Sequence, residues 1–345
     1  MEELKRELEK LSKTYVDTPE KEEKILIPFI KRLLELSVKE RRKLLPTIRE
    51  LQWIKGKFSE TFCDHHRARF LGAVQFVCGN KREIDLGYHI DFNLLCKLLS
   101  LYTPSWLAEY INDAESYLNF NISYEQLMQL TDMGYMQELS PKRIAQILPS
   151  YICIRSSIPK GKDTFNSDLL LKREITLKEH IWYLFEQESS IGYHNDRAQT
   201  AYKEGTTSRD ESFSAAFYRF SLDGHLDRNR LLRATLSTFN RSFKKDMVNW
   251  FAGLFEELQP RAEELISLQE EIMQVFTSPY TKPVNVMLQQ LKKIASEGGF
   301  HYQEFIERAT TLFFSSPKNS LLTIYSIFEQ IVTGHPEMKE ACCIP

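Results

Sequence analysis

The sequence predicts an all-α protein, and three observations favour this fold class. Apolar residues in the last third of the chain recur at steps of three and four, the spacing of one side of a helix. The phrase Phe-x-Ser-Pro occurs twice, and its prolines, Pro279 and Pro317, stand 38 positions apart. That separation lies within the roughly 34 to 47 residues of helical-pair repeats. No segment alternates as a strand should; residues 151–154 come nearest and are more simply a helix end. We therefore predict an α-solenoid of stacked antiparallel helical hairpins.

Four apolar stripes define the carboxyl-terminal hairpins. An isolated helix of about 12 to 15 residues is marginal in water, so each stripe must be buried against a neighbouring helix. This requirement predicts that the hairpins stack on one another. The stripes are Leu265, Leu268, Ile272, Val275 and Phe276; Val284, Leu288, Leu291 and Ala295; Tyr302, Phe305, Ile306, Ala309 and Phe313; and Leu321, Ile324, Phe328 and Ile331.

Serine, proline and glycine mark the predicted helix ends. Ser278 is predicted to start a helix, because its hydroxyl can accept a hydrogen bond from the free amides of the next turn. Pro279 then stands where no amide is needed. Ser316 and Pro317 repeat this arrangement. The glycine pair at 298–299 is predicted to end the intervening helix, since glycine readily adopts the left-handed conformation.

Composition narrows the class of protein. The 345 residues are 42% hydrophobic and 27% charged, as in ordinary folded proteins, and the formal net charge of −2 gives no global reason to expect nucleic acid or an anionic membrane. No apolar run reaches the ~18 residues of a membrane helix, and the charged amino terminus does not resemble a signal peptide. We predict a cytoplasmic protein. The six cysteines form no Cys-x-x-Cys pair, which favours buried, reduced thiols.

We predict one continuous solenoid with three segments. Residues 1–188 form less regular helical hairpins, and residues 211–345 form the clearer repeats. Residues 189–210 contain few apolar side chains, so they are predicted to be a long polar connection. Residues 155–168, which include Pro159 and Gly161, are predicted to form a surface loop.

Several short motifs carry a resemblance to a known family. They are the run from Gly224 to Leu232 (GHLDRNRLL), Asn249-Trp250-Phe251, Leu258-Gln259-Pro260 and the spaced Ser-Pro hairpins. From about Trp182 onward, their order resembles an uncharacterised bacterial family of HEAT-like helical-repeat proteins, described as a domain of unknown function. The resemblance implies a fold of HEAT-like repeats and carries no assigned reaction.

One cluster resembles a metal site. Cys63, Asp64, His65 and His66 are consecutive, and His89 with Asp91 could join them. Adjacent histidines on a helix diverge by roughly 100°, so both cannot easily ligate one zinc ion. A helix start capped by Asp64 explains the cluster without a metal, and no metal site is predicted.

Signatures of catalysis are missing from the sequence. It contains no Gly-x-Ser-x-Gly nucleophile motif and neither Gly-x-Gly-x-x-Gly nor Gly-x-x-x-x-Gly-Lys. We predict no catalytic residue and no cofactor.

A basic strip is the best functional clue. Arg230 and Arg233 are predicted to share an exposed helix face, and together the strip could contact an acidic protein or a phosphate backbone. A solvated helix face is the alternative, because arginine and lysine commonly cover helix exteriors. The strip consists of Arg228, Arg230, Arg233, Arg241, Lys244 and Lys245.

Three functions remain open at this point. The first is a non-catalytic cytosolic scaffold or adaptor that binds a protein partner on the concave surface of the solenoid. The alternative is a nucleic-acid-binding module, conceivably related to DNA repair, whose affinity would fall steeply with salt. The third, a hydrolytic or metal-dependent enzyme, lacks a supporting motif.

Overall fold

The computed structural model describes residues 1–14, 18–55, 60–62, 65–84, 90–113, 122–155, 161–314 and 317–342. These residues are mostly helical, which confirms the predicted all-α class. The chain divides into two compact units, Met1–Ile147 and Leu148–Pro345. The boundary therefore lies earlier than the predicted polar connection at 189–210.

The described residues of the amino-terminal unit form helices of 4 to 16 residues and one small hairpin. Strands β1 and β2 pair antiparallel, with Trp53 opposite Phe62 and Lys55 opposite Glu60. The elements are α1 (Glu2–Ser12), α2 (Pro19–Leu34), α3 (Val38–Arg41), α4 (Leu45–Gln52), β1 (Trp53–Lys55), β2 (Glu60–Phe62), α5 (His65–Cys78), α6 (Phe92–Leu101), α7 (Leu107–Asn112), α8 (Tyr124–Asp132) and α9 (Pro141–Ile147).

Helix α2 shows why this unit folds as it does. Thr18 caps the helix by accepting a hydrogen bond from the amide of Lys21, and the helix then buries the predicted stripe of Leu26, Phe29, Ile30 and Leu33. The ring of Phe29 lies 6.2 Å from that of Phe70, which packs α2 against α5.

The carboxyl-terminal unit contains a second small hairpin followed by a long series of helices. Its strands pair antiparallel, with Cys153 opposite Phe165. The elements are β3 (Cys153–Ile154), β4 (Thr164–Phe165), α10 (Glu174–Lys178), α11 (Tyr183–Glu186), α12 (Ile191–Lys203), α13 (Phe213–Leu222), α14 (Arg228–Ser237), α15 (Lys245–Glu257), α16 (Ala262–Gln274), α17 (Thr281–Ile294), α18 (Tyr302–Thr310), α19 (Lys318–Gly334) and α20 (Lys339–Cys342).

Alternate helices of this unit pack on one another. Helices α13, α15, α17 and α19 form one succession of contacts, and α14 packs on α16 beside them. Consecutive helices, such as α14 with α15 and α16 with α17, also pack together. All four predicted apolar stripes contribute buried side chains to these contacts, including Leu268, Leu288, Phe305 and Ile324.

Phe185 of α11 connects the segment 148–188 to the core of the carboxyl-terminal unit. Its ring centroid lies 5.7 Å from that of Phe217 on α13 and 5.2 Å from that of Phe251 on α15. Phe185 is 2% exposed, and Phe217 and Phe251 are completely buried. Because this core spans positions on both sides of 189–210, that segment does not separate two structural units.

The predicted polar connection at 189–210 requires correction. It contains the 13-residue helix α12, which buries Ile191, His194, Asn195 and Ala198. The carboxamide oxygen of Asn195 accepts a hydrogen bond from the amide of Ser214 at 3.0 Å, so a polar side chain occupies a core position. Apolar periodicity cannot find a helix whose buried face is partly polar.

Three smaller predictions also differ from the structure. Residues 151–154 end in strand β3 rather than in a helix, and the predicted loop at 155–168 contains its partner, β4. Ser278 accepts a hydrogen bond from the amide of Tyr280, and α17 begins only at Thr281. Pro317 itself is the N-cap of α19, while Ser316 lies outside the described residues.

Candidate functional site

A groove of about 620 Å³ on the carboxyl-terminal unit contains three of the six predicted basic residues. Helix α14 forms one side, and the 3₁₀ turn His180–Trp182 with α11 forms the other. The lining residues are Trp182, Phe185, Glu186, Asp227, Asn229, Arg230, Arg233, Ala234, Ser237 and Arg241.

Arg230 lies on an aromatic platform in this groove. Its guanidinium carbon is 3.9 Å from the ring centroid of Trp182, a cation–π geometry. Burial and a hydrogen bond hold the indole in place: Trp182 is 5% exposed, and its Nε1 donates a hydrogen bond to the carbonyl of Leu177 at 3.1 Å. Arg230 is itself exposed and forms no ion pair with any described residue. The groove therefore presents a cation that is positioned but not neutralised.

The start of α14 determines where Arg230 lies. Gly224 has a φ of 76°, which permits a left-handed turn after α13, and the amide of Leu226 donates to the carbonyl of Phe220 at 3.0 Å. Asp227 then caps α14 by accepting a hydrogen bond from the amide of Arg230 at 2.6 Å. The cap fixes the first turn of the helix and with it the position of the Arg230 side chain.

Arg233 lines the groove but already has partners. It forms an ion pair with Glu271 on α16, and its Nε donates to the side-chain oxygen of Asn229 at 2.8 Å. The side chains of Arg233 and Glu271 are about half and one-third exposed, so the pair is accessible to solvent. Arg233 thus connects the groove to the neighbouring helix.

Arg228 has a structural role that removes it from the predicted strip. Its Nε donates to Glu264 at 2.6 Å, and its Nη2 donates to the carbonyl of Leu258 at 2.8 Å. Burial opposes ionisation of Glu264, but hydrogen bonds from Arg228 and Arg261 outweigh it and lower the pKa of that carboxyl to about 2. Arg228 therefore joins α14 to α16 instead of facing a partner.

The remaining basic residues divide into two groups. Arg241 follows α14, lines the groove and forms no ion pair with a described residue. Lys244 lies 3.6 Å from a carboxylate oxygen of Glu188, and Lys245 is the exposed first residue of α15. Neither lysine lines the groove. The sequence prediction thus combined a groove set, Arg230, Arg233 and Arg241, with three residues that lie outside the groove.

Trp182, Phe185 and Glu186 were not predicted as site residues. They precede Arg230 by more than 40 positions, and the sequence spacing gives no sign that they meet it. The signal that could have suggested a special site is the aromatic pair Trp182 and Phe185 beside an acidic residue at a short helix end. That pattern is also common in ordinary cores.

The groove itself has no arrangement typical of nucleophilic catalysis. Among the described residues, its lining includes no cysteine or histidine, and the hydroxyl of Ser237 donates to the carbonyl of Ala234 at 2.7 Å. Of the metal-like cluster near residue 63, Cys63, Asp64 and His89 lie outside the described residues. Asp91 caps α6 by accepting from the amide of Leu94 and also pairs with Arg69.

A second groove, of about 740 Å³, lies along α12 and α13. Its cations Lys203, Arg209 and Arg219 stand among Asp210, Asp223 and Glu257, and Arg219 is bound to Asp168 at 2.7 Å. The charges of this groove are balanced, so it offers less electrostatic selectivity than the first.

The fold and the first groove define an all-α protein with an exposed arginine surface. The chain belongs to a family described as a domain of unknown function, DUF6493, whose family model matches residues 2–319. This match confirms the predicted membership of a family without an assigned function. No curated protein and no solved structure shows significant similarity to the chain. None of the helices in the described ranges combines the length and apolar character that crossing a bilayer requires.

Proposed function

We propose that this protein is a non-catalytic cytosolic adaptor that binds an acidic segment of a protein partner in the groove between α11 and α14. The observation that carries the proposal is Arg230, an exposed guanidinium held 3.9 Å above Trp182 without an ion-pair partner among the described residues. Guanidinium groups bind carboxylates in a planar, bidentate geometry. Arg241 adds a second unpaired cation to the same groove.

We further propose that the carboxyl-terminal unit is an α-solenoid of HEAT-like repeats. Alternate packing of α13, α15, α17 and α19 supports this arrangement, because each hairpin of a solenoid contacts its neighbours. Polar links recur between alternate helices, α14 with α16 and α17 with α19, at sequence separations of 34 to 38 residues. The links are Arg228 with Glu264, Arg233 with Glu271, Asn285 with Ser320, and Gln289 with Thr323.

Two features favour an acidic protein segment over nucleic acid. Glu186 and Asp227 stand among the arginines, so the groove lacks the continuous positive surface that a phosphate backbone requires. Trp182 is buried beneath Arg230 and has no free face for a base to stack on. We therefore assign the proposed binding surface to this one groove, which has mixed charge and contains three arginines.

Charge reversal in the groove tests the proposal. A fluorescein-labelled, glutamate-rich peptide is titrated into the wild-type chain and into the double variant Arg230→Glu/Arg241→Glu, with binding measured by fluorescence anisotropy. We expect the double variant to bind at least about tenfold more weakly, which corresponds to roughly 1.4 kcal/mol. Lys318→Glu is the control for charge reversal outside the groove, because Lys318 is exposed at the start of α19.

A duplex DNA titration at two salt concentrations separates the alternatives. Tighter binding of DNA than of the peptide, with a steep loss of affinity at high salt, would support a nucleic-acid-binding module instead. Equal peptide affinity in the wild type and the double variant would remove the groove from consideration. Partner capture from lysate is then informative when it is lost in the double variant and kept in Lys318→Glu.

A further inference from the structure

A group of three metal-ligating side chains lies where α16 meets the start of α18. Within the described part of the chain, His301, Glu270 and Glu304 each offer one ligand atom, and these atoms lie within 4.8 Å of one another. We propose that they bind a divalent transition-metal ion such as Zn²⁺. This site is separate from the arginine groove, and the proposal does not rest on the proposed function.

The spacing of the three donors fits a metal better than a hydrogen bond. Nδ1 of His301 lies 3.7 Å from Glu270 Oε1 and 3.8 Å from Glu304 Oε2. Charge-assisted hydrogen bonds measure about 2.7 to 2.9 Å, so the imidazole is too distant to donate to either carboxylate. Ligands at about 2.1 Å from a tetrahedral zinc ion are roughly 3.4 Å apart, within a few tenths of an ångström of the two distances from His301. The two carboxylate oxygens lie within 4.8 Å of each other. Imidazole and carboxylate are both accepted zinc ligands.

The backbone of His301 is held against α16 by a buried glutamine. Gln269 is 2% exposed, and its Oε1 accepts a hydrogen bond from the amide of His301 at 2.7 Å. Its Nε2 donates to the carbonyls of Gly299 and Ile266, both at 2.9 Å. A Cβ at Gly299 would lie 3.1 Å from the Ile266 side chain, so glycine allows this close approach. These hydrogen bonds of Gln269 place His301 next to Glu270, the residue that follows Gln269.

Arg308 orients the carboxylate of Glu304 as a metal ligand. Its Nε and Nη2 donate to Oε1 of Glu304 at 2.8 and 2.7 Å, which leaves Oε2 as the oxygen near His301. Glu304 and Arg308 are four positions apart and so share one face of α18, and His301 is the N-cap residue of that helix. Hydrogen bonds to the non-ligating atom of a carboxylate commonly orient metal ligands in this way.

Three protein donors leave one tetrahedral position open. The side chains of His301 and Glu270 are half or more exposed, so water or a donor from another molecule can reach that position. The ion would connect α16 to the first turn of α18, beside the hydrogen bonds of Gln269.

Cobalt titration tests the site directly. Co²⁺ is added to the purified full chain, and the visible ligand-field absorption of tetrahedral Co²⁺ is followed, with Zn²⁺ used afterwards to displace it. We expect saturation at one Co²⁺ per chain, displacement by Zn²⁺, and affinity reduced about tenfold or more in Glu270→Gln. His301→Ala should abolish the signal, and Arg308→Gln should weaken it about tenfold.

His225→Ala is the control, because His225 is an exposed histidine outside the site and its loss should leave the titration unchanged. Circular dichroism of each variant establishes that it has folded, which the exposure of the ligands leads us to expect. The proposal is overturned if the wild type gives no saturable absorption. Equal Co²⁺ affinity in His301→Ala and the wild type would also overturn it, because the ion would then bind elsewhere.

Discussion

Arg228 on α14 and Glu264 on α16 form a largely buried ion pair, with 2.6 Å between Nε and Oε1 and side chains 15% and 16% exposed. Arg228 also donates to the carbonyls of Leu258 and Gln259 that end the preceding segment. Arg228, at the start of α14, therefore contacts both the chain that follows α15 and the first turn of α16.

Glu264→Gln should lower the free energy of unfolding by roughly 2 kcal/mol, because a hydrogen bond to a charged group is lost and Arg228 keeps its charge in a largely buried place. Urea unfolding followed by circular dichroism measures the change. Glu263→Gln is the matched control: it also removes a carboxylate from the first turn of α16, but Glu263 is exposed. Its effect should stay within about 0.5 kcal/mol. Equal losses in the two variants would contradict the role of the pair.

The same carboxyl group predicts an acid dependence of stability. The pKa of Glu264 is about 2 in the folded chain against an ordinary value of 4.5, so the unfolded chain binds more protons between these values. Its stabilising contribution is fully present above the ordinary value and is lost as the pH falls towards 2. The difference in unfolding midpoint between wild type and Glu264→Gln should therefore shrink as the pH falls through this window. A difference that stays constant would show that Glu264 keeps its ordinary pKa.

Arg230→Ala should expose the indole that the guanidinium covers. We expect more efficient acrylamide quenching of tryptophan fluorescence and a loss of about 0.5 to 1 kcal/mol in the free energy of unfolding. Arg241→Ala removes a groove arginine that does not stack on Trp182, so its quenching should match the wild type. Unchanged quenching in Arg230→Ala would mean that the stacked arrangement does not persist in solution.

Two glycines allow a matched test of backbone conformation. Gly224 has a φ of 76° before α14, whereas Gly298 has no positive φ and no atom within 4 Å of an added Cβ. Gly224→Ala should destabilise the chain by roughly 1 kcal/mol, because alanine disfavours the left-handed region. Gly298→Ala should be neutral or stabilising by about 0.4 to 1 kcal/mol through the unfolded state. Thermal unfolding compares the two, and a destabilisation shared by both would contradict the assignment to φ.

Apolar periodicity was sufficient to predict the helices of the carboxyl-terminal third, because stripes such as Leu265, Leu268 and Ile272 face the core almost without interruption. It failed in α12, where His194 and Asn195 occupy buried positions. Burial lowers the pKa of His194 to about 4, and the nearby cations Arg197 and Arg155 reinforce the effect, so this imidazole remains neutral in the core. A neutral histidine packs there as a core side chain, and apolar periodicity in the sequence does not predict its burial.

The candidate groove was predictable only in part. Arg230, Arg233 and Arg241 could be grouped because they are near one another in sequence, but partner choice depends on distant residues. Arg228 and Arg230 are only two positions apart in sequence, yet one meets Glu264 and the other meets Trp182. Similarly, His301 and Glu304 are close in sequence, whereas Glu270 reaches them only through the packing of α16 near α18. Contacts between residues that are 30 or more positions apart can be identified only from the folded structure.

Arg233 gives the groove a second property. Its side chain lines the groove and is also bound to Glu271, a residue of the next hairpin. An acidic ligand that recruits this guanidinium competes with α16 for it, so occupancy of the groove and the attachment of α14 to α16 draw on one shared side chain. Under the proposed function, binding in the groove would therefore weaken one of the two ion pairs that join α14 to α16 and leave the pair of Arg228 with Glu264 in place.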